Sequence, residues 1–226
     1  MRHLYIGILF SVLYSCANVE SDLSHPFAEY FYSYDIQPKV YRYRDTIHGL
    51  NEQFHRVYGI EDSEGKHIVV ERYVQDARLT EAFNFNLDSL NVMDHMVVNA
   101  LGENEKATLY KDEFLPKETG VVAQFISKFS GVTDSTVFLM EVNRQLIETR
   151  MRKVQSDSLE CITLEENAIY TLLNPLTKKE SQQRLQTVSC FAKGIGLVAW
   201  YDTKKRSHFE LEEILSQEKW IKLISE

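Results

Sequence analysis

The chain has 226 residues, 44% apolar and 26% charged, with a net charge of −8; this suits one domain with a sizeable core, or two small ones. No basic stripe is visible, which argues against nucleic acid as a partner and against purely electrostatic attachment to anionic lipid. Twelve tyrosines and twelve phenylalanines favour strands, and only four prolines and nine glycines are available for long flexible linkers.

The chain opens with Arg2 and His3, followed by an apolar run from Leu4 to Tyr14 broken only by Gly7 and Ser11. Eleven residues are too few to cross a bilayer, which needs about 20, but they match the apolar part of a signal peptide. The run ends in Leu13-Tyr14-Ser15-Cys16, which resembles the lipobox of bacterial lipoproteins: apolar at −3, small at −1, then cysteine. Tyr14 departs from that pattern, where a smaller residue is usual; Bacteroidota-type lipoproteins tolerate such departures. The resemblance implies cleavage after Ser15, diacylation of the Cys16 sulfur and attachment to a membrane through the acyl chains. Residues 1–15 are then the leader, 16–36 a lipidated polar tether, and 37–226 a single β-rich domain. Glu20 and Asp22 resemble, weakly, a surface-export signal, so the periplasm and the cell surface both stay open as the side of display.

Two-residue alternation dominates after residue 37. A strand is expected at about 38–45, then a turn at His48-Gly49. The clearest hairpin follows, with strands at 51–61 and 66–75 around Asp62-Ser63-Glu64-Gly65, where glycine supplies positive φ. With a two- or four-residue loop, paired positions sum to 127: Arg56 faces Glu71, Val57 faces Val70 and Tyr58 faces Val69. Both faces then carry apolar side chains, which fits a sheet covered on both sides or lining an apolar cavity. Further strands are expected at 78–86, 91–99 and 105–114. Val121, Val122, Phe125, Ile126 and Phe129 follow helical spacing, with Gly131 as a C-cap, and predict a helix there. A long strand at 135–154 turns at Gln155-Ser156-Asp157-Ser158. Strands at 159–165, 167–173, 183–192, 195–202 and 206–213 follow, and Ser216 to Ser225 predicts a short terminal helix with Trp220 packing back on the sheet. The expected fold is mainly β: a single curved antiparallel sheet, a half-barrel of about ten strands, with one or two short helices.

Phe191-Ala192-Lys193-Gly194-Ile195-Gly196-Leu197-Val198, with Trp200, resembles a late strand pair of exported β-rich lipoproteins. These in turn resemble the half-barrels of the Lol-type lipoprotein-localisation and lipid-carrier families. That resemblance implies a curved sheet over an apolar cavity able to hold acyl chains. The same Gly-x-Gly lacks the third glycine and the helix of a phosphate-binding loop, so a tight turn is expected instead.

No side-chain pattern points to catalysis, a cofactor or a metal. His55 and His67 are not cross-strand partners, and Asp94 and His95, adjacent in a strand, point to opposite faces. No Gly-x-Ser-x-Gly elbow occurs, and neighbouring carboxylates such as Glu165-Glu166 alternate across the sheet. An oxidising compartment permits a disulfide between Cys161 and Cys190; two buried free thiols are the alternative. Tyr30-Phe31-Tyr32-Ser33-Tyr34 either offers an aromatic platform for a partner or covers the open edge of the sheet. The sequence therefore reads as a non-enzymatic lipoprotein of the cell envelope, anchored to the outer membrane. It would carry an apolar ligand or acyl chain, or alternatively serve as a structural or protein-interaction module.

Overall fold

A computed structural model describes residues 24–49, 51–99, 102–131 and 136–225. The leader, Cys16 and the first part of the tether lie outside the described residues. The rest is mainly strand: β1 (Lys39–Asp45), β2 (Glu52–Asp62), β3 (Gly65–Val74), β4 (Leu79–Asn86), β5 (Val92–Val98), β6 (Asn104–Lys106), β7 (Thr108–Asp112), β8 (Val122–Ser130), β9 (Val137–Val154), β10 (Asp157–Asn174), β11 (Lys179–Ala192), β12 (Gly196–Asp202) and β13 (His208–Ser216), then helix α1 (Gln217–Ser225). All thirteen strands form one antiparallel sheet in the order β6-β5-β4-β3-β2-β1-β13-β12-β11-β10-β9-β8-β7. This is the expected curved sheet with thirteen strands in place of about ten.

The hairpin of β2 and β3 has the register read from the sequence. Arg56 pairs with Glu71, Val57 with Val70 and Tyr58 with Val69, and the Arg56 guanidinium lies 2.8 Å from the Glu71 carboxylate. Its apolar residues on both faces have two partners. Val57, Ile68 and Val70 face the interior, while Phe54 and Tyr73, with Val40 and Leu215, form an outer cluster around Trp220 of α1. The terminal helix and its packing tryptophan are where the sequence placed them.

Three expectations on local structure change. The segment expected to be a helix at 121–129 is strand β8, paired with β7 and β9. Ala123, Phe125 and Ser127 point inward with period two, while Val121 and Val122 are exposed. β-branched and aromatic residues suit that pleated surface, and pairing on both sides overrides the helical spacing. The expected strand at 105–114 is divided at Ala107 into β6 and β7. The two expected strands at 159–165 and 167–173 are one 18-residue strand, β10. A register shift against β9 at Thr163/Leu164 disturbs its alternation.

The division at Ala107 shapes the molecule. β6 and β7 are the two edges of the sheet, yet they are consecutive in the chain. The sheet is not closed by a continuous ladder, but it wraps until its edges meet: β5 adjoins β7 and β6 adjoins β8, and Ala107 donates its N–H to the His95 carbonyl (2.8 Å).

Antiparallel pairing puts alternate turns at opposite ends. The β2–β3, β4–β5 and β11–β12 turns share one end, and the β1–β2, β3–β4 and β12–β13 turns the other. The N-terminal segment enters at the first end: the His25 N–H donates to Asp88, and Glu29 accepts from Gly194. The segment from His25 to Tyr34, expected as part of the tether with its aromatic run as a partner platform or an edge cover, instead sends its central rings into the interior. Tyr30, Phe31 and Tyr32 are buried in the main core. Phe31 meets Phe85 and Phe114 edge to face at 4.9 and 5.7 Å, and Tyr32 meets Tyr41 at 4.9 Å. Gly196, at φ +102°, lets the β11–β12 connection pass Tyr32; a Cβ there would lie 2.5 Å from the ring.

Candidate functional site

Beyond the aromatic filling, a cavity of about 310 Å³ remains, lined from β2, β3 and β9 to β13. Gln53, Asp202 and Ser207 line it beside the β1–β2 and β12–β13 turns, at the end opposite the entry of the N-terminal segment. Phe114, Phe191 and Leu197 form its floor, and Trp200 lines its wall. Trp200 stacks between Phe209 (4.8 Å, 14°) and His55 (5.7 Å, 13°).

The other walls carry charge. Arg72 on β3 pairs across the ladder with Glu81 on β4, and Arg144 on β9 with Glu166 on β10. All four occupy inward positions of their strands. Arg144 Nε donates to Glu166 (2.5 Å), and Glu166 also accepts from the Thr187 hydroxyl (3.2 Å). The Arg144 guanidinium lies 4.2 Å from the Phe114 ring centroid. Arg72 Nη1 donates to Glu81 (2.8 Å) and its guanidinium covers Phe83 at 5.0 Å. Two donors are left without partners: Nε of Arg72 and Nη1 of Arg144.

The electrostatics tie these pairs together. Burial by itself would raise the Glu81 carboxyl, but Arg72 and His95 outweigh it and bring it down to about 2. Burial pushes the Tyr170 phenol up to about 12, helped by Glu81 and Glu166 and opposed by Arg72 and Arg144, so this one ring lies in the field of both pairs. Burial also pushes His55 well below its ordinary value, with Arg72 adding to the effect, which leaves a neutral imidazole at neutral pH. Its Nδ1 is hydrogen-bonded to Tyr32 (2.9 Å), and the Tyr43 hydroxyl beside it donates to the Leu197 carbonyl (2.8 Å).

From Glu81 the network continues into the wall. His95 Nε2 donates to Glu81 (3.3 Å), and Nδ1 is hydrogen-bonded to Ser127 (3.0 Å). The order Ser-His-Glu is that of a hydrolase triad, but Ser127 and His95 are both 0% exposed. Phe83 lies flat on the imidazole at 4.4 Å, and neither residue lines the cavity. The chain is a buried relay that steadies Arg72 through Glu81. Asp94 points the other way, to Lys106, as the strand alternation requires. No group of three His, Cys, Asp or Glu side chains placed to hold a metal occurs among the described residues.

Cys161 and Cys190 are buried free thiols. They sit diagonally on paired strands, Cys161 opposite Ala192 and Cys190 opposite Thr163. Burial raises the Cys161 thiol to about 12, and the nearby Cys190 adds to the rise. Gly194 and Gly196, at φ +78° and +102°, make the tight turn expected of them. Sequence reading missed Arg72 and Arg144 on the cavity wall, and named Glu166 only as one of two neighbouring carboxylates. The signal of the two arginines is a charge on an otherwise apolar parity: Met140, Val142, Arg144, Leu146 along β9, and Ile68, Val70, Arg72 along β3.

The fold and site define a mainly β protein whose single wrapped sheet encloses a part-filled, part-polar interior. No family model matches the chain, and no curated protein does. Among solved structures, it is similar to a candidate lipoprotein of Parabacteroides distasonis (12% identity, TM-score 0.48, covering 82% of this chain and 98% of that one). It is also similar to a candidate exported protein of Bacteroides fragilis described as having a YmcC-like fold (13% identity, TM-score 0.43, covering 82% and 99%).

Proposed function

We propose that the chain is an exported lipoprotein of the cell envelope, held to the outer membrane through acylated Cys16, which binds a small ligand without turning it over. The observation that carries the binding reading is the cavity of about 310 Å³, at the lower end of the roughly 300–1,000 Å³ typical of ligand pockets. The acyl-carrier expectation narrows accordingly. Tyr30, Phe31 and Tyr32 occupy the half of the interior that a long chain would need, and the remaining space combines an aromatic wall with two Arg–Glu pairs. An amphiphile with a short apolar body fits better than a bare hydrocarbon.

Native mass spectrometry of gently purified protein should show a bound species of small mass; only the acylated protein mass would overturn the carrier reading. Replacement of Cys16 by serine should abolish palmitate labelling and membrane fractionation. Persistence of both would overturn the anchor. The densely packed rings near the N-terminal segment favour the second reading, a ligand-free interaction lipoprotein, for which cross-linking in cells should recover one defined protein partner.

A further inference from the structure

We propose that Arg72 and Arg144 together form the seat for an anionic head group, a carboxylate or a phosphate, at the inner end of the cavity. The inference rests on the ligand-binding reading above and deepens it. Two residues on the cavity wall each keep one unpartnered buried side-chain atom, Arg72 Nε and Arg144 Nη1, and both atoms are donors. A ligand that satisfies them must bring acceptors. Arg144 is 7% exposed, whereas the Arg72 side chain keeps 32% exposure. Both residues lie on the cavity wall.

Both guanidinium groups are held ready. Each is gripped by one carboxylate and lies over one phenyl ring, Arg144 by Glu166 and Phe114, Arg72 by Glu81 and Phe83. Such a group loses little freedom on binding, and its planar fork suits two oxygens of one anion. Arg72, Arg144, Glu166 and Tyr170 all line the same cavity, so the two guanidinium groups border a common space. The two carboxylates offset the two cations, so the pairs bring no net charge to the cavity. A singly charged head is therefore favoured over a more highly charged one. The stacked Trp200 and Phe209 offer the apolar body a flat wall.

The test titrates hexanoate, hexyl phosphate and hexanol into the detergent-solubilised full chain, followed by Trp200 fluorescence in a Trp220→Phe background. At least one anion should bind ten-fold or more tightly than hexanol, and the tighter of the two identifies the head group. Arg144→Gln should remove that preference and leave hexanol binding unchanged. If Arg144→Gln fails to fold, Arg144→Gln/Glu166→Gln removes both partners and reads the same ratio. Equal binding of hexanol and the anions, or a preference that survives loss of Arg144, overturns the anionic seat while leaving the carrier reading intact. Binding of none of the three overturns the seat, and native mass spectrometry then decides the carrier reading separately.

Discussion

Within one sheet, the half of the interior nearest the N-terminal segment is filled by rings, whereas the other half is lined by paired charges around a space. The change occurs along single strands. Inward positions of β3 run Ile68, Val70, Arg72, and those of β4, from the same end, run Phe85, Phe83, Glu81. Alternation sets which side chains enter the interior, and the chemistry of each inward residue sets whether that level is packed or hollow. The filled half supplies stability through close packing; the hollow half holds polar groups that are costly to leave buried and unpaired.

The largest expected contrast comes from the filled half. Phe85 is 1% exposed and touches Phe31 and Phe114 at 4.9 and 4.8 Å. Phe85→Ala should cost about 3–5 kcal/mol in denaturant unfolding. A loss near that of a surface substitution would show that the rings are not a packed core.

The hollow half should instead reveal itself through pH. Glu81 has its folded value lowered from 4.5 to about 2, so its contribution is fully present above pH 4.5 and is lost as pH falls toward 2. The shift corresponds to about 3 kcal/mol. In Glu81→Gln, stability should be lower at neutral pH and fall less steeply between those values, read from midpoints of denaturation across the acid range.

At the ring-filled end, Gly196→Ala would place a methyl 2.5 Å from Tyr32 at a φ of +102°. The expected cost is about 1–3 kcal/mol; thermal unfolding at matched pH checks it. The smallest effect should be Leu185→Ala. This side chain lines the cavity and is partly exposed, so it has fewer partner atoms to lose, and about 1 kcal/mol or less is expected in the same measurement.

Much of the fold was legible because alternation is a local signal. The Arg56–Glu71 register followed from the turn at Gly65 and a loop of either two or four residues, since both give the same pairing. The helix expected at 121–129 failed because adjacent apolar pairs fit both a helical stripe and a strand covered on two faces, and only pairing with β7 and β9 separates them. The break at Ala107 left no mark in composition; it reflects the meeting of sheet edges distant in the order of strands. The cavity was half legible. A lone Arg on the parity of Met140, Val142 and Leu146 is visible in one strand, but its convergence with Arg72 is a property of the wrapped sheet. The aromatic run at 30–34 could not be assigned to edge or interior without knowing how far that sheet wraps.

The junction at Ala107 bears on how these molecules behave as neighbours. A β-sheet normally presents bare amide and carbonyl rows along both margins, which recruit extended peptides and promote aggregation. Here the margins are three and five residues long, belong to one stretch of backbone and lie against each other. A crowd of such molecules would have little backbone to share and would remain separate particles. Under tension the wrap would begin to unzip at this suture, where the fewest ladder bonds hold it.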